Sequence, residues 1–143
     1  MPCATPETLV AQAEKYHQSG DEKAALIQLK NALKQAPDNS LGRQLLGRVY
    51  LAQGDAVSAD AELRKALKLG ASPLAVYRDL TKAMMIQGQY QLLLDQTTKL
   101  ADSSADLLAQ RGNAYLELGD SALYQQAQIL AQWREKEIGR AHV

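Results

Sequence analysis

Three glycines, Gly20, Gly54 and Gly88, recur at an interval of 34 residues along the chain. On both sides of each glycine, apolar residues recur every three or four positions, which is the periodicity of an amphipathic helix. Each interval therefore predicts two helices joined by a tight turn at the glycine. A repeat of this length folds as stacked helix pairs, in which each pair packs only on its neighbours.

Capping residues set the limits of the predicted helices. Thr5, Pro6 and Glu7 form a good helix start, because they supply a hydroxyl N-cap, a proline at the first helical position and an acid in the first turn. Asp follows the turn glycine at positions 21, 55 and 120 and can cap the next helix. We predict helices at about 6–19, 22–36, 40–53, 56–69, 73–87, 90–101 and 104–118, and an eighth that begins near 121.

These helices group into four repeat units. We expect the third unit to be degenerate, because Gly119 follows Gly88 after only 31 residues and the β-branched pair Thr97-Thr98 weakens helix propensity. We expect the fourth unit to be truncated. The predicted divisions are an N-terminal lead at 1–5, repeat units at 6–39, 40–73, 74–104 and 105–137, and a separate tail at 138–143.

Small residues mark where paired helices should meet. Gly47 and Gly112 lie in the middle of predicted helices, where glycine costs roughly 1 kcal/mol relative to alanine. We interpret both as points where the partner helix approaches the backbone closely. The expected fold is all-α, a right-handed α-α superhelix of four helix pairs whose concave side is lined by the first helix of each pair. The matching small residues on the second helices are Ala25, Ala32, Ala59, Ala66 and Ala131.

Charge and composition argue against several classes of function. The chain has 16 basic and 16 acidic residues, so it carries no overall positive field that would attract nucleic acid or anionic lipid. No run of 18 apolar residues is present, so the sequence predicts no membrane-spanning helix. Any membrane contact would have to come through a lipid anchor.

Residues that could carry chemistry are scattered. His17 and His142 are the two histidines, and neither stands at a metal-ligand spacing from Cys3, the one cysteine. Each Gly-Asp step is interpreted as a helix–helix turn, which leaves no glycine-rich phosphate loop. We therefore expect no catalytic residues, no metal and no cofactor.

The outward residues of the first helices are the candidate binding surface. They are expected to form a concave groove with a basic centre, apolar neighbours and acidic ends, suited to a protein or peptide with acidic and apolar residues. The alternative is that these outward residues form a solvated charged face without a ligand. The candidate groove residues are Gln44, Arg48, Leu51, Arg78, Lys82, Met85 and Asn113. The full predicted concave set is Glu7, Val10, Glu14, His17, Leu41, Gln44, Arg48, Leu51, Ala75, Arg78, Lys82, Met85, Ile86, Asp106, Ala109, Asn113 and Leu116.

The repeat resembles a known family. Gly47, Tyr50, Gly54, Ala59 and Leu63 are similar to the pattern of tetratricopeptide (TPR) repeats, and the resemblance extends over about 6–132. It implies a non-catalytic scaffold that binds other proteins. The carboxylate clamp of chaperone-binding TPR domains is missing, so the resemblance does not imply a co-chaperone. The clamp positions here hold Val10, Glu14, Leu45, Ala75 and Asp79.

A narrower resemblance concerns the first two units. The stretches AALIQLKNALKQAPDN and LLGRVYLAQGDAVSADAELRKALKLGA resemble the N-terminal part of the TPR lipoproteins of bacterial exosortase (PEP-CTERM) systems. That resemblance implies a protein anchored in the envelope of a Gram-negative bacterium and associated with exopolysaccharide and protein sorting. Cys3 stands where the lipidated cysteine would be, although the printed residues before it contain no signal sequence. The alternatives are a cytosolic TPR adaptor and the docking arm of an enzyme whose catalytic domain lies elsewhere.

The last six residues, IGRAHV, do not resemble a TPR unit. They are the in-frame translation of a common short-read sequencing adapter, and Glu137 fits the preceding adapter bases. We therefore expect 138–143 to be adapter read-through in a metagenomic gene fragment, with a native frayed terminus as the alternative. The nucleotide record distinguishes the two, because a different codon series would exclude the adapter.

Overall fold

The computed structural model describes residues 4–141, apart from the side chain of Ala141. Within these residues the fold is all-α, as the sequence predicted, with no strand. Cys3 and His142 lie outside the described residues. The eight α-helices are α1 (Pro6–Gln18), α2 (Glu22–Gln35), α3 (Ser40–Ala52), α4 (Ala56–Lys68), α5 (Pro73–Ile86), α6 (Tyr90–Thr97), α7 (Ala105–Glu117) and α8 (Ser121–Ala141), and a short 3₁₀ helix occupies Ala101–Ser103.

The helices follow one another as four consecutive pairs. The turn glycines adopt positive φ values, for example 82° at Gly54, a conformation that residues with a Cβ atom rarely adopt. Asp55 then caps α4 by accepting a hydrogen bond from the backbone N–H of Ser58 at 3.0 Å. The hydroxyl and backbone N–H of Ser58 together hold the pKa of Asp55 below its ordinary value of 3.8. The cap is therefore strongest when the Asp55 carboxyl group is ionised. Its contribution to stability falls as the pH drops through that lowered pKa.

The chain divides into two compact units, one ending at Ala83 and the other beginning at Met84. In the first unit, the core joins α1, α2 and α3 through leucines, alanines and Val49. Its buried members are Ala13, Ala25, Leu29, Leu33, Leu45, Leu46 and Val49, with Val10, Leu26 and Tyr50 packed against them. In the second unit, Ala101, Leu108 and Ala131 form a buried cluster that Ala109 partly covers.

α6 is the main departure from the predicted boundaries. It ends at Thr97, whereas the sequence predicted a helix to about 101. The hydroxyl groups of Thr97 and Thr98 donate hydrogen bonds to the carbonyls of Leu93 and Leu94 at 2.7 and 2.9 Å. Ser and Thr side chains that bond to the preceding turn in this way weaken and bend a helix. Gln89 adds to the weakness, since it provides no side-chain cap where Asp stands in the other turns.

Residues 138–141 continue α8 as helix, although the sequence assigned them to a tail outside the repeats. α8 is accordingly longer than the other helices, at 21 residues. Its apolar residues are unevenly covered. Ala127 and Ala131 are buried, whereas Trp133 is 64% exposed.

The close approach inferred at Gly47 is present. A Cβ atom placed on Gly47 would lie 2.6 Å from Cγ and 2.8 Å from Cδ2 of Leu63 on α4. Leu63 is fully buried, so its side chain has no free space into which it can move. The sequence interpretation of Gly112 is also supported, because a Cβ there would lie 3.1 Å from Cβ of Ala127.

We predict that Gly47→Ala destabilises the protein despite the higher helix propensity of alanine. Overpacking a filled core costs about 1–3 kcal/mol, and the gain in helix propensity is at most about 1 kcal/mol, so we expect a net loss of roughly 1–2 kcal/mol. The measurement is urea unfolding followed by circular dichroism. Gly139→Ala is the control, because no atom lies within 4 Å of the added Cβ. A Gly47→Ala protein as stable as the Gly139→Ala protein would contradict the packing described here.

Candidate peptide-binding site

A pocket of about 330 Å³ lies between α1 and α3, within the first unit. Its lining surface is mostly apolar, and polar side chains contribute the remainder. Such a volume falls at the lower end of the range for ligand pockets, and apolar walls with a few polar groups are typical of them. The lining residues are Glu7, Val10, Ala11 and Glu14 from α1, Asn39 at the start of α3, and Leu41, Gln44, Leu45 and Arg48 from α3.

Local packing explains why the pocket forms here. Val10 of α1 lies against the buried core of the first unit. It approaches α3 at Gly42, where a Cβ atom would be 3.4 Å from Cγ2 of Val10. Asn39 fixes the start of α3, since its Oδ1 accepts a hydrogen bond from Gly42 N at 2.8 Å. The floor is thus held by the core, whereas Leu41 at the rim remains 68% exposed.

The pocket brings together much of the surface that the sequence predicted to be concave. Six residues of that set line it, namely Glu7, Val10, Glu14, Leu41, Gln44 and Arg48. Two of these, Gln44 and Arg48, belong to the narrower set of candidate groove residues. Gln44 is largely buried, with 7% of its surface exposed, so only its edge is available to a ligand.

Arg48 does not provide the free positive charge that the sequence prediction assumed. Its Nε donates a hydrogen bond to Oδ2 of Asp79 on α5 at 2.8 Å. Asp79 is buried, and a buried carboxylate is stabilised by a cation and a hydrogen bond. The basic centre expected from the sequence is therefore corrected at this position, because the charge of Arg48 is balanced within the chain.

The remaining candidate groove residues do not line this pocket. Arg78 and Lys82 are exposed residues of α5, and Leu51 is half-buried near the end of α3. Met85 and Asn113 are half-buried residues of the second unit. His17, also in the predicted concave set, lies at the end of α1, where its Nδ1 is 2.8 Å from Oε2 of Glu22.

The second unit contains a more polar pocket that sequence reasoning missed. Arg111 of α7 donates from Nη1 to the carbonyl of Leu94 at 2.6 Å and to the hydroxyl of Thr97 at 2.9 Å. Its Nη2 donates to the hydroxyl of Tyr115 at 3.2 Å. Through these hydrogen bonds Arg111 stabilises the last turn of α6, so we assign Arg111 a structural role. The sequence signal for this role was the β-branched pair Thr97-Thr98, which weakens the end of the helix.

Other kinds of site find no support in the part of the chain that the structure describes. Residues 4–141 contain no group of three or more His, Cys, Asp or Glu side chains arranged to hold a metal ion. No helix among them is long and apolar enough to cross a bilayer. The pocket between α1 and α3 is thus the best candidate for a binding site.

Comparison with known proteins agrees with the helix-pair architecture. Residues 16–84, just under half of the chain, match the family model described as tetratricopeptide repeat. No curated protein matches the chain. The fold that the sequence pattern predicted is therefore supported by an independent description of the same repeat.

Solved structures show the same fold at low sequence identity. A crystal structure of MamA is 16% identical with a TM-score of 0.82, covering 96% of this chain and 82% of that one. A second MamA structure is 17% identical with a TM-score of 0.81, covering 96% of this chain and 77% of that one. TTC0263, a thermophilic TPR protein in Thermus thermophilus, is 20% identical with a TM-score of 0.73, covering 92% of this chain and 75% of that one. This chain has the tetratricopeptide repeat fold.

We predict that the Arg48–Asp79 pair contributes measurably to stability. In a double-mutant cycle with Arg48→Gln and Asp79→Asn, we expect a coupling energy of about 1 kcal/mol, the upper end for partly exposed pairs, because Arg48 is still in contact with solvent. Urea unfolding of the four proteins measures it. The same cycle at Arg134–Glu137, whose side chains are 40% and 55% exposed, is the control and should give a coupling near zero. Equal coupling in the two cycles would show that the pair at the pocket has no special role.

Proposed function

We propose that this protein is a non-catalytic interaction module that binds a segment of a partner protein in the pocket between α1 and α3. Proteins with the tetratricopeptide repeat fold generally bind other proteins. The observation that supports this site is the clustering of six predicted concave residues around one apolar-walled pocket. Leu41 adds to it, because its exposed side chain extends the apolar surface of the pocket that a partner can bury.

We predict that Leu41→Asp weakens binding of a partner segment without unfolding the protein. Peptides selected from a random phage-displayed library against the full chain serve as probes, and fluorescence anisotropy measures their affinity. We expect Leu41→Asp to weaken binding at least about tenfold, which corresponds to about 1.4 kcal/mol. The loss follows because a carboxylate at the rim would have to be desolvated by an apolar ligand.

Val57→Asp is a closely matched control. Leu41 is the second residue of α3 and is 68% exposed, whereas Val57 is the second residue of α4 and is 69% exposed. Both substitutions place an acid in the first turn of a helix, where it is tolerated by the helix dipole. Peptides that bind the wild-type and Leu41→Asp proteins equally well would exclude the pocket as the binding site.

The cellular setting is a separate proposal that rests on the resemblance of the first two units to exosortase-system TPR lipoproteins. In this proposal the protein is attached to a Gram-negative envelope membrane through lipid on Cys3 and serves exopolysaccharide or protein sorting. A TPR adaptor in the cytoplasm is the alternative, as is the docking arm of an enzyme. The pocket proposal does not depend on which of these settings applies.

We predict that Cys3 is acylated when the protein is produced from its native gene in a Gram-negative host. Metabolic labelling with an alkyne-bearing palmitate, followed by membrane fractionation, provides the measurement. We expect label on the wild-type protein and its loss, together with release from the membrane fraction, in Cys3→Ser. A wild-type protein that carries no label and is recovered with the soluble proteins would refute the lipoprotein proposal.

A further inference from the structure

We propose that the pocket between α1 and α3 selects a basic partner segment, in which an apolar side chain is flanked by lysine or arginine. This inference rests on the proposed function, because it assigns the chemistry of the partner that the same pocket binds. It reverses the acidic partner that the sequence alone predicted. The balance of charge around the pocket is the reason for the reversal.

Two carboxylates stand on the α1 side of the pocket. Glu7 is exposed and Glu14 is half-buried, and both line the cavity. They are seven positions apart in the helix, so they lie about 10 Å apart on the same face. Neither forms an ion pair within residues 4–141. Glu14 accepts a hydrogen bond of 3.4 Å from the Gln18 amide, which leaves its charge in place.

The α3 side supplies no compensating charge. Among residues 4–141, Arg48 is the one cationic residue that lines the pocket, and its guanidinium is paired with Asp79 at 2.8 Å. Asn39 uses its side-chain oxygen to cap α3. The net charge presented to a ligand is therefore negative. An acidic segment would meet like charges at Glu7 and Glu14, and such juxtaposition is costly at an interface.

The apolar floor lies between the two carboxylates. Val10 is on α1 between Glu7 and Glu14, Leu45 lines the floor from α3, and Leu41 adds apolar surface at the rim. A ligand that fills this floor and satisfies both carboxylates must present an apolar side chain between two cations. In an extended segment, which rises about 3.3 Å per residue, cations about three residues apart match the spacing of the carboxylates. The pattern basic–apolar–x–basic meets this requirement.

Three fluorescent peptides that differ only in charge test the inference. Each has leucine at the apolar position of the pattern basic–apolar–x–basic. The two basic positions of the pattern hold lysine in the first peptide, glutamine in the second and glutamate in the third. Their affinities for the full chain are measured by anisotropy at low and at high salt. We expect the lysine peptide to bind at least about tenfold more tightly than the glutamine peptide at low salt, and this preference to shrink at high salt.

The double substitution Glu7→Gln with Glu14→Gln removes the proposed determinant. We expect it to abolish most of the preference for lysine over glutamine. Glu117→Gln with Glu135→Gln is the matched control, because both residues are exposed helical carboxylates in the second unit. The control should keep the full preference. Thermal unfolding of both variants confirms that they fold.

The outcomes separate this inference from the proposed function. If the glutamate or the glutamine peptide binds most tightly and Leu41→Asn, which removes the apolar side chain without adding charge, weakens that binding, the pocket binds peptides but the basic partner is refuted. A preference for lysine that survives Glu7→Gln with Glu14→Gln also refutes it. If Leu41→Asn weakens the binding of none of the three peptides, the proposed function at this pocket fails as well.

Discussion

The structure depends on the close contact between paired helices, which is seen for α1 with α2, α3 with α4 and α7 with α8. At Gly47 the absence of a Cβ atom lets Leu63 of α4 lie directly against the backbone of α3. At Gly112 the absence of a Cβ atom likewise allows Ala127 of α8 to pack against α7. Once this contact is made, the rotation of each helix about its axis is set, because only one face can pack so closely. The opposite face is then directed outward and is available for binding.

The pocket follows from that constraint together with the order of the helices. α2 packs on both α1 and α3, which places these two first helices side by side within the first unit. Leu45 belongs to the shared core and Val10 packs against that core, so both residues form the floor of the pocket. Glu7 and Glu14 stay at the rim because they are on the outward face of α1. The pocket is therefore a consequence of the fold. A few outward residues at its rim determine which ligand it can bind.

The second unit shows how a weakened repeat is stabilised. α6 lacks an N-terminal side-chain cap and ends at the threonine pair, where hydroxyl groups compete for the backbone carbonyls. Arg111 compensates from α7 by donating to the carbonyl of Leu94 and to the hydroxyl of Thr97. Bonds from a charged donor are stronger than those between neutral groups, so a single side chain can secure the end of the short helix.

The sequence by itself determined the eight helices, their turns and the faces they bury, because period, capping residues and turn glycines are local signals. It also selected most of the residues around the pocket. Tertiary structure alone decided that Arg48 is neutralised by Asp79, that Gln44 is nearly covered and that Arg111 supports α6, since each partner comes from a different helix. Pairings across helices depend on side-chain positions in space, which a linear pattern does not encode. For that reason the sequence could place Arg48 among the candidate groove residues, and only the folded chain shows that its guanidinium is paired with Asp79 beside the pocket that Glu7 and Glu14 line.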